Sequence, residues 1–206
     1  MIVMSSVTKK FGNNVIIRDL NLEVNDGDFI SITGKSGKGK TTLLNMIGLL
    51  ESPSSGKISI DGVSKRSSKE IMLLRRHSFG YLFQNYALIE SDTVRNNLLL
   101  ALKYRKDINK AEEIKKALDF VGLSNIEGKK IYQLSGGEQQ RIALARVLLK
   151  DCSYVFADEP TGNLDTHNRD LVFDILRELN QRGKTIVFVT HDEDLANLAN
   201  RRLDLS

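Results

Sequence analysis

The chain is 206 residues long, 41% hydrophobic and 27% charged with a net charge of +4, which describes one domain able to bury a real core and excludes a disordered or fibrous chain. Its basic residues come as pairs such as Lys9-Lys10, Arg75-Arg76 and Arg201-Arg202 and never as a long block, which speaks against nucleic acid as a partner. A single cysteine, Cys152, excludes an internal disulfide and reads as buried filler in a reducing compartment, and no apolar stretch nears the ~20 residues that cross a bilayer or forms a signal-peptide core, so the expectation is a cytosolic chain unless something else holds it to a membrane.

Residues 2–33 read as short strands around Ile2–Thr8, Asn21–Val24 and Phe29–Thr33, parted by polar turns. Phe11 falls in the first connection, where an aromatic is either core or a platform for a nucleotide base; spacing alone does not decide. The Phe29–Thr33 strand runs into Gly34, Lys35, Ser36, Gly37, Lys38, Gly39, Lys40, Thr41 and Thr42, followed by Leu43–Ile47, which has helical composition. Strand, glycine-rich loop and helix in that order make a phosphate-binding loop. Gly34, Gly37 and Gly39 let the backbone curl until several N–H groups share one concavity, and the helix adds its positive N-terminal end. Lys40 supplies a charge for the β- and γ-phosphates, and the Thr41 hydroxyl is placed to ligate Mg²⁺.

After the turn-rich Glu51–Gly56, Lys57–Ile60 with the Asp61-Gly62 turn reads as an antiparallel hairpin edge, and Ser64–Lys69 as a solvent-facing loop. Ser78–Phe83 is a further strand ending at Gln84-Asn85. A polar residue there either caps the strand or belongs to a site, because parallel α/β sheets carry their sites at strand C-termini. The segment behind Gln84 carries Tyr86, Leu88 and Ile89 with no period that would bury them all. Exposed apolar side chains of that kind mark a contact surface, here Gln84–Asn97; the other reading tucks them under neighbouring helices.

From about Thr93 to Lys150 the pattern turns helical, with Ala111, Ile114, Leu118 and Val121 at helical spacing and Gly122 as a C-cap. Ser135, Gly136, Gly137 and Glu138 introduce a helix over Gln139–Leu149. Ser135 reads as its N-cap and Glu138 completes a capping box. Two glycines in a first turn nevertheless cost about 1 kcal/mol each, and they suit a backbone that another molecule approaches closely.

Tyr154–Ala157 is continuously apolar, as in a parallel strand covered on both faces, and it delivers Asp158-Glu159 to its C-terminal end. That is the second half of a phosphate-and-metal site: Asp158 to hold Mg²⁺ through water, Glu159 to orient or deprotonate an attacking water. Leu171, Val172, Ile175, Leu176 and Leu179 give an amphipathic helix closed by Gly183, and Ile186–Val189 is one more buried strand. It ends at Thr190-His191, putting His191 where a γ-phosphate ligand would stand.

Gly34–Thr42, Gln84, Leu134–Arg141, Asp158-Glu159, Gly162-Asn163-Leu164-Asp165 and His191 together resemble the ATP-binding subunit of ABC transporters, in that family's order and over nearly the whole chain. The phrase Asp158–Asp165 is most similar to the macrolide-export and lipoprotein-release branch.

The resemblance implies an α/β fold, a P-loop nucleotide-binding core with a helical lobe and a small antiparallel β lobe. It implies a single ATP-binding domain over residues 1–206, with the core at 1–90 and 151–206 and the helical lobe at about 91–150. It implies hydrolysis of ATP with Mg²⁺ as cofactor: Phe11 on adenine, residues 34–42 around the phosphates, Thr41, Gln84 and Asp158 serving Mg²⁺. Glu159 would be the base, with His191 at the γ-phosphate and Gln84 beside them. Ser135, Gly136 and Gly137 would complete a partner subunit's site, and Asp165 would lie along the dimer seam. The implied partners are a second ATP-binding subunit, identical or not, and a transmembrane permease, with no nucleic acid. The implied location is the cytoplasmic face of the membrane, held through that permease, and the implied task is export of a peptide, lipoprotein or drug-like substrate. The rival is a soluble ATPase of the same type acting on DNA or the ribosome. It would need a long heptad insertion or a second cassette, and the sequence carries neither.

There are departures from the family pattern. Lys38 stands where a small residue is usual, so its ammonium lies either beside the phosphates or in solvent. Phe11 replaces the commoner tyrosine and keeps the stacking face. Leu88–Thr93 lacks the proline often found there.

Overall fold

The computed structural model describes residues 1–162 and 164–205; Asn163 of the Gly162–Asp165 motif lies outside the described residues. In chain order the elements are β1 (Ile2–Phe11), β2 (Asn14–Val24), β3 (Phe29–Thr33), α1 (Lys40–Ile47), β4 (Ser55–Ile60), α2 (Ser68–His77) and β5 (Phe79–Leu82). Then come α3 (Val94–Leu99), α4 (Lys110–Phe120), a 3₁₀ turn at Ile131–Gln133 and α5 (Gly136–Lys150). The chain closes with β6 (Tyr154–Asp158), α6 (Thr166–Gln181), β7 (Thr185–Val189), α7 (Glu193–Asn197) and β8 (Arg201–Asp204).

Two sheets form. An antiparallel sheet has the order β2-β1-β4, and a parallel sheet has the order β5-β6-β7-β3-β8. The inner strands β3, β6 and β7 are apolar at most positions because both of their faces are covered. Ile30, Ile32, Phe156, Val187 and Val189 face one core, shared with Leu43, Met46 and Ile47 of α1 and with Ile2 and Met4 of the antiparallel sheet. Phe29, Val155, Ala157, Ile186 and Phe188 face the other, shared with α5 and α6. Phe79 and Phe156 meet edge to face at 5.1 Å between ring centroids, which adds to their burial. This layering places the C-terminal ends of β3, β6 and β7 side by side.

Several expectations need correction. The short strands at the N-terminus are a long hairpin: Phe11 pairs with Asn14 across Gly12-Asn13, so Phe11 ends β1 instead of sitting in a loop, and it is 52% exposed, not core. β4 is an antiparallel edge, but its partner is β1, with only an Ile60–Val63 bridge closing the Asp61-Gly62 turn. The loop expected at Ser64–Lys69 gives way to α2 from Ser68. That helix has no buried residue, so no apolar period announced it. Its signal was the capping box: Glu70 N–H donates to Ser67 Oγ while Ser67 N–H donates to Glu70 Oε2. β8 was also unforeseen. It is a mostly exposed edge strand with only Leu203 half-buried, pairing in parallel with β3.

Candidate functional site

The loop between β3 and α1 is shaped by local sterics. Gly39 has φ +88° and caps α1 in left-handed backbone, and a Cβ there would stand 2.4 Å from Cγ2 of Ile16 on β2. Both constraints require glycine. Lys40 folds back over the loop, its ammonium donating to the carbonyls of Gly34 at 2.8 Å and Lys35 at 3.1 Å. Lys38 is exposed. Phe11, Ile16, Ser36, Gly37, Gly39, Lys40, Thr41, Thr42, Gln84 and Glu159 line one cleft of about 430 Å³.

Beside it stand the ends of β6 and β7: Glu159 lines this cleft and also an adjoining hollow in which Thr190 and His191 lie. The Thr41 hydroxyl donates to Asp158 Oδ1 at 3.0 Å, joining α1 to β6. Burial pushes the Asp158 carboxyl above the ordinary range, and the neighbouring Glu159 charge adds to this, while the Thr41 hydrogen bond and Lys40 pull it down. A hydroxyl and a carboxylate that meet this way offer the hard oxygens Mg²⁺ takes. Among the described residues no group of three or more His, Cys, Asp or Glu is placed to hold a metal ion. Glu159 has left-handed backbone (φ +44°), which turns its carboxylate to His191: Glu159 Oε2 lies 2.9 Å from His191 Nδ1.

Gln84 is exposed at the mouth of the same cleft. Directly behind it Tyr86 and Ala87 hold successive left-handed conformations (φ +59° and +48°), strained for side-chain-bearing residues. The Arg146 guanidinium of α5 donates to both of their carbonyls, at 2.8 Å for Tyr86. Tyr86 and Leu88 pack partly against the helical core and only Ile89 is well exposed at 48%, so the expected apolar surface reduces largely to Ile89.

Ser135, Gly136, Gly137 and Asp165 do not line this cleft. They form a separate group at the N-termini of α5 and α6. Ser135 and Glu138 make the expected capping box on α5. Asp165 caps α6, accepting from Asn168 N–H at 2.9 Å and from its side-chain amide at 2.7 Å. A Cβ on Gly137 would lie 2.4 Å from Cγ of that same Asn168, so this glycine has a reason within the chain itself. Asn168 was missed from sequence, since a lone asparagine early in a helix carries no distinguishing signal. Ile16 was missed likewise, because a β-branched residue on a strand reads only as strand.

A family model described as "ABC transporter" matches residues 17–162. The chain is 41% identical over its whole length to the macrolide export ATP-binding/permease protein MacB of Neisseria meningitidis serogroup B, and it spans 33% of that relative. It is 43% identical to the lipoprotein-releasing system ATP-binding protein LolD of Aquifex aeolicus, covering 92% of this chain and 87% of that one. The dimeric structure of MJ0796, a bacterial ABC transporter cassette, matches with TM-score 0.89 and 35% identity over 100% of this chain and 95% of that one. A post-hydrolysis state of MJ0796 bound to ADP and Pi matches with TM-score 0.90.

Proposed function

Because this chain belongs to the ABC transporter family, we propose that it is the ATP-hydrolysing subunit of a membrane exporter. The observation that carries this is the convergence of Lys40, the Thr41–Asp158 pair and the Glu159–His191 pair at adjoining ends of β3, β6 and β7. In this reading Phe11 stacks on adenine, and the backbone from Gly34 to Thr42 and the Lys40 ammonium hold the phosphates. Thr41, Asp158 and Gln84 take Mg²⁺, which when bound neutralises charge developing on the phosphates. Glu159 accepts the proton of the attacking water, and His191 holds that carboxylate while facing the γ-phosphate. Little covalent chemistry is required; placing charge correctly does most of the work.

Ser135, Gly136, Gly137 and Asp165 stand apart from the chain's own cleft, which supports their serving the site of a second copy across a dimer. Among the described residues no helix is long and apolar enough to cross a membrane. In this reading the translocating part is a permease, and this chain sits on the cytoplasmic face through it, as the names of the relatives support. The relatives named above support export of a lipoprotein or drug-like molecule over action on DNA or the ribosome. The permease contact is the edge from Gln84 to Asn97. Beside it runs an apolar groove of about 440 Å³ whose walls include Met72, Ala87, Leu100, Tyr104 and Arg146. Affinity purification from detergent-solubilised membranes, with an assay of Mg²⁺-dependent ATP hydrolysis, tests the whole reading. Recovery of a multispanning subunit and EDTA-sensitive turnover support it; hydrolysis with no membrane partner refutes its transport half.

A further inference from the structure

We infer that Lys9 is a positioning residue for the base platform, fixing Phe11 relative to the helix that follows the phosphate loop. This rests on the reading of Phe11 as the platform. Lys9 lies on β1, two residues before Phe11, and is only 8% exposed, unusual for a lysine. Its ammonium stands 4.7 Å from the Phe11 ring centroid. The same ammonium donates to Glu51 Oε1 at 2.6 Å and to the Ser52 carbonyl at 2.8 Å. Glu51 N–H in turn donates to the Asn45 carbonyl of α1 at 3.2 Å. A continuous path of contacts thus runs from the Phe11 ring to α1, whose first residues carry the phosphate-site side chains.

The charge needs this arrangement. A nearly buried ammonium requires an anion and acceptors, and Glu51 and Ser52 supply them. Held there, it stands over one face of a half-exposed ring. Phe11 lines the nucleotide cleft and Lys9 does not, so the opposite face is left for a base. A cation on one face restricts how the ring tilts and draws on its electron density, which favours a flat, electron-rich base on the other face.

The chain has no tryptophan, so Phe11→Trp installs a single fluorophore at the platform. In the full chain, ATP should quench and shift its emission. Adding Lys9→Met should move the emission of the free protein and raise the Kd for ATP about threefold to tenfold. In the otherwise native chain, Lys9→Met should raise KM with kcat little changed, and Lys9→Arg should restore it. The deciding measurement is a double-mutant cycle: in a Phe11→Ala background, Lys9→Met should leave the Kd unchanged. An equal loss in both backgrounds would mean that Lys9 serves only β1 packing, and would overturn the inference. If Phe11→Ala alone leaves ATP binding intact, the platform reading fails first and the role of Lys9 falls with it. Should Lys9→Met not fold, Glu51→Gln removes the ionic anchor and should weaken ATP binding in the same direction; unchanged binding there is equally fatal.

Discussion

Glu159 and His191 stand at the C-terminal ends of neighbouring strands, β6 and β7, and their side chains meet at 2.9 Å. A carboxylate so held points one oxygen at the imidazole, and its orientation is set before any substrate arrives. Glu159→Gln preserves shape but cannot take a proton. Turnover should fall about 10²- to 10⁴-fold while ATP binding survives, and an ATP-dependent dimer should accumulate on size exclusion. Near-normal turnover would move the base elsewhere.

Lys38 is exposed, while Lys40 already lies across the loop carbonyls. Of the two positions open to the Lys38 ammonium, solvent is the one expected. Lys38→Ser should leave the ATP Kd within about twofold at low and high salt alike, by calorimetry; a loss that shrinks as salt rises would place the charge on the phosphates instead.

Leu88 and Ile89 separate packing from contact. Leu88 lies against the helical core and Ile89 is half exposed. Leu88→Glu forces a charge into apolar surroundings and should lower Tm by several degrees. Ile89→Glu should leave Tm within a degree or two yet reduce recovery of the chain with membranes. Full recovery with a well-folded Ile89→Glu variant removes this edge as the permease contact.

The Ser135–Glu138 capping box predicts a pH dependence. The Ser135 N–H bond holds the Glu138 carboxyl below the ordinary range. A folded-state pKa below the unfolded one gives stability that is present above the unfolded value and lost as pH falls through the folded one. Glu138→Gln retains an acceptor without the titration, so its Tm should drop less than that of the native chain between about pH 7 and about pH 4. Identical acid sensitivity would mean the box contributes nothing through its charge.

The parts legible in the sequence were those where one physical demand fixes residue type. The strands β3, β6 and β7 announced themselves because burial on both faces selects apolar residues at most of their positions. The phosphate loop did so because the backbone at Gly39 excludes every side chain. The Glu159–His191 contact lay beyond that reach, since it depends on which strands neighbour one another and on a left-handed backbone at Glu159. The fate of Leu88 was hidden for a related reason: its partners come from helices distant in the chain. The intrachain need for glycine at 137 was masked in the same way, because it is set by Asn168 on another helix.

α2 has no fully buried residue; its capping box, the partial packing of Leu74 on the core, the Arg75 guanidinium at the Leu49 carbonyl and Lys150 donating to the Arg75 carbonyl hold it. A ten-residue helix is marginal on its own in water, so tertiary contact normally supplies what propensity does not. Its amide hydrogens should therefore exchange with solvent through local opening at a small free-energy cost, while those of β6 and β7 exchange only when the whole domain unfolds. The wall of the groove that includes Met72 is thus expected to open before the sheet does, so the shape of that groove should be the least fixed on this face.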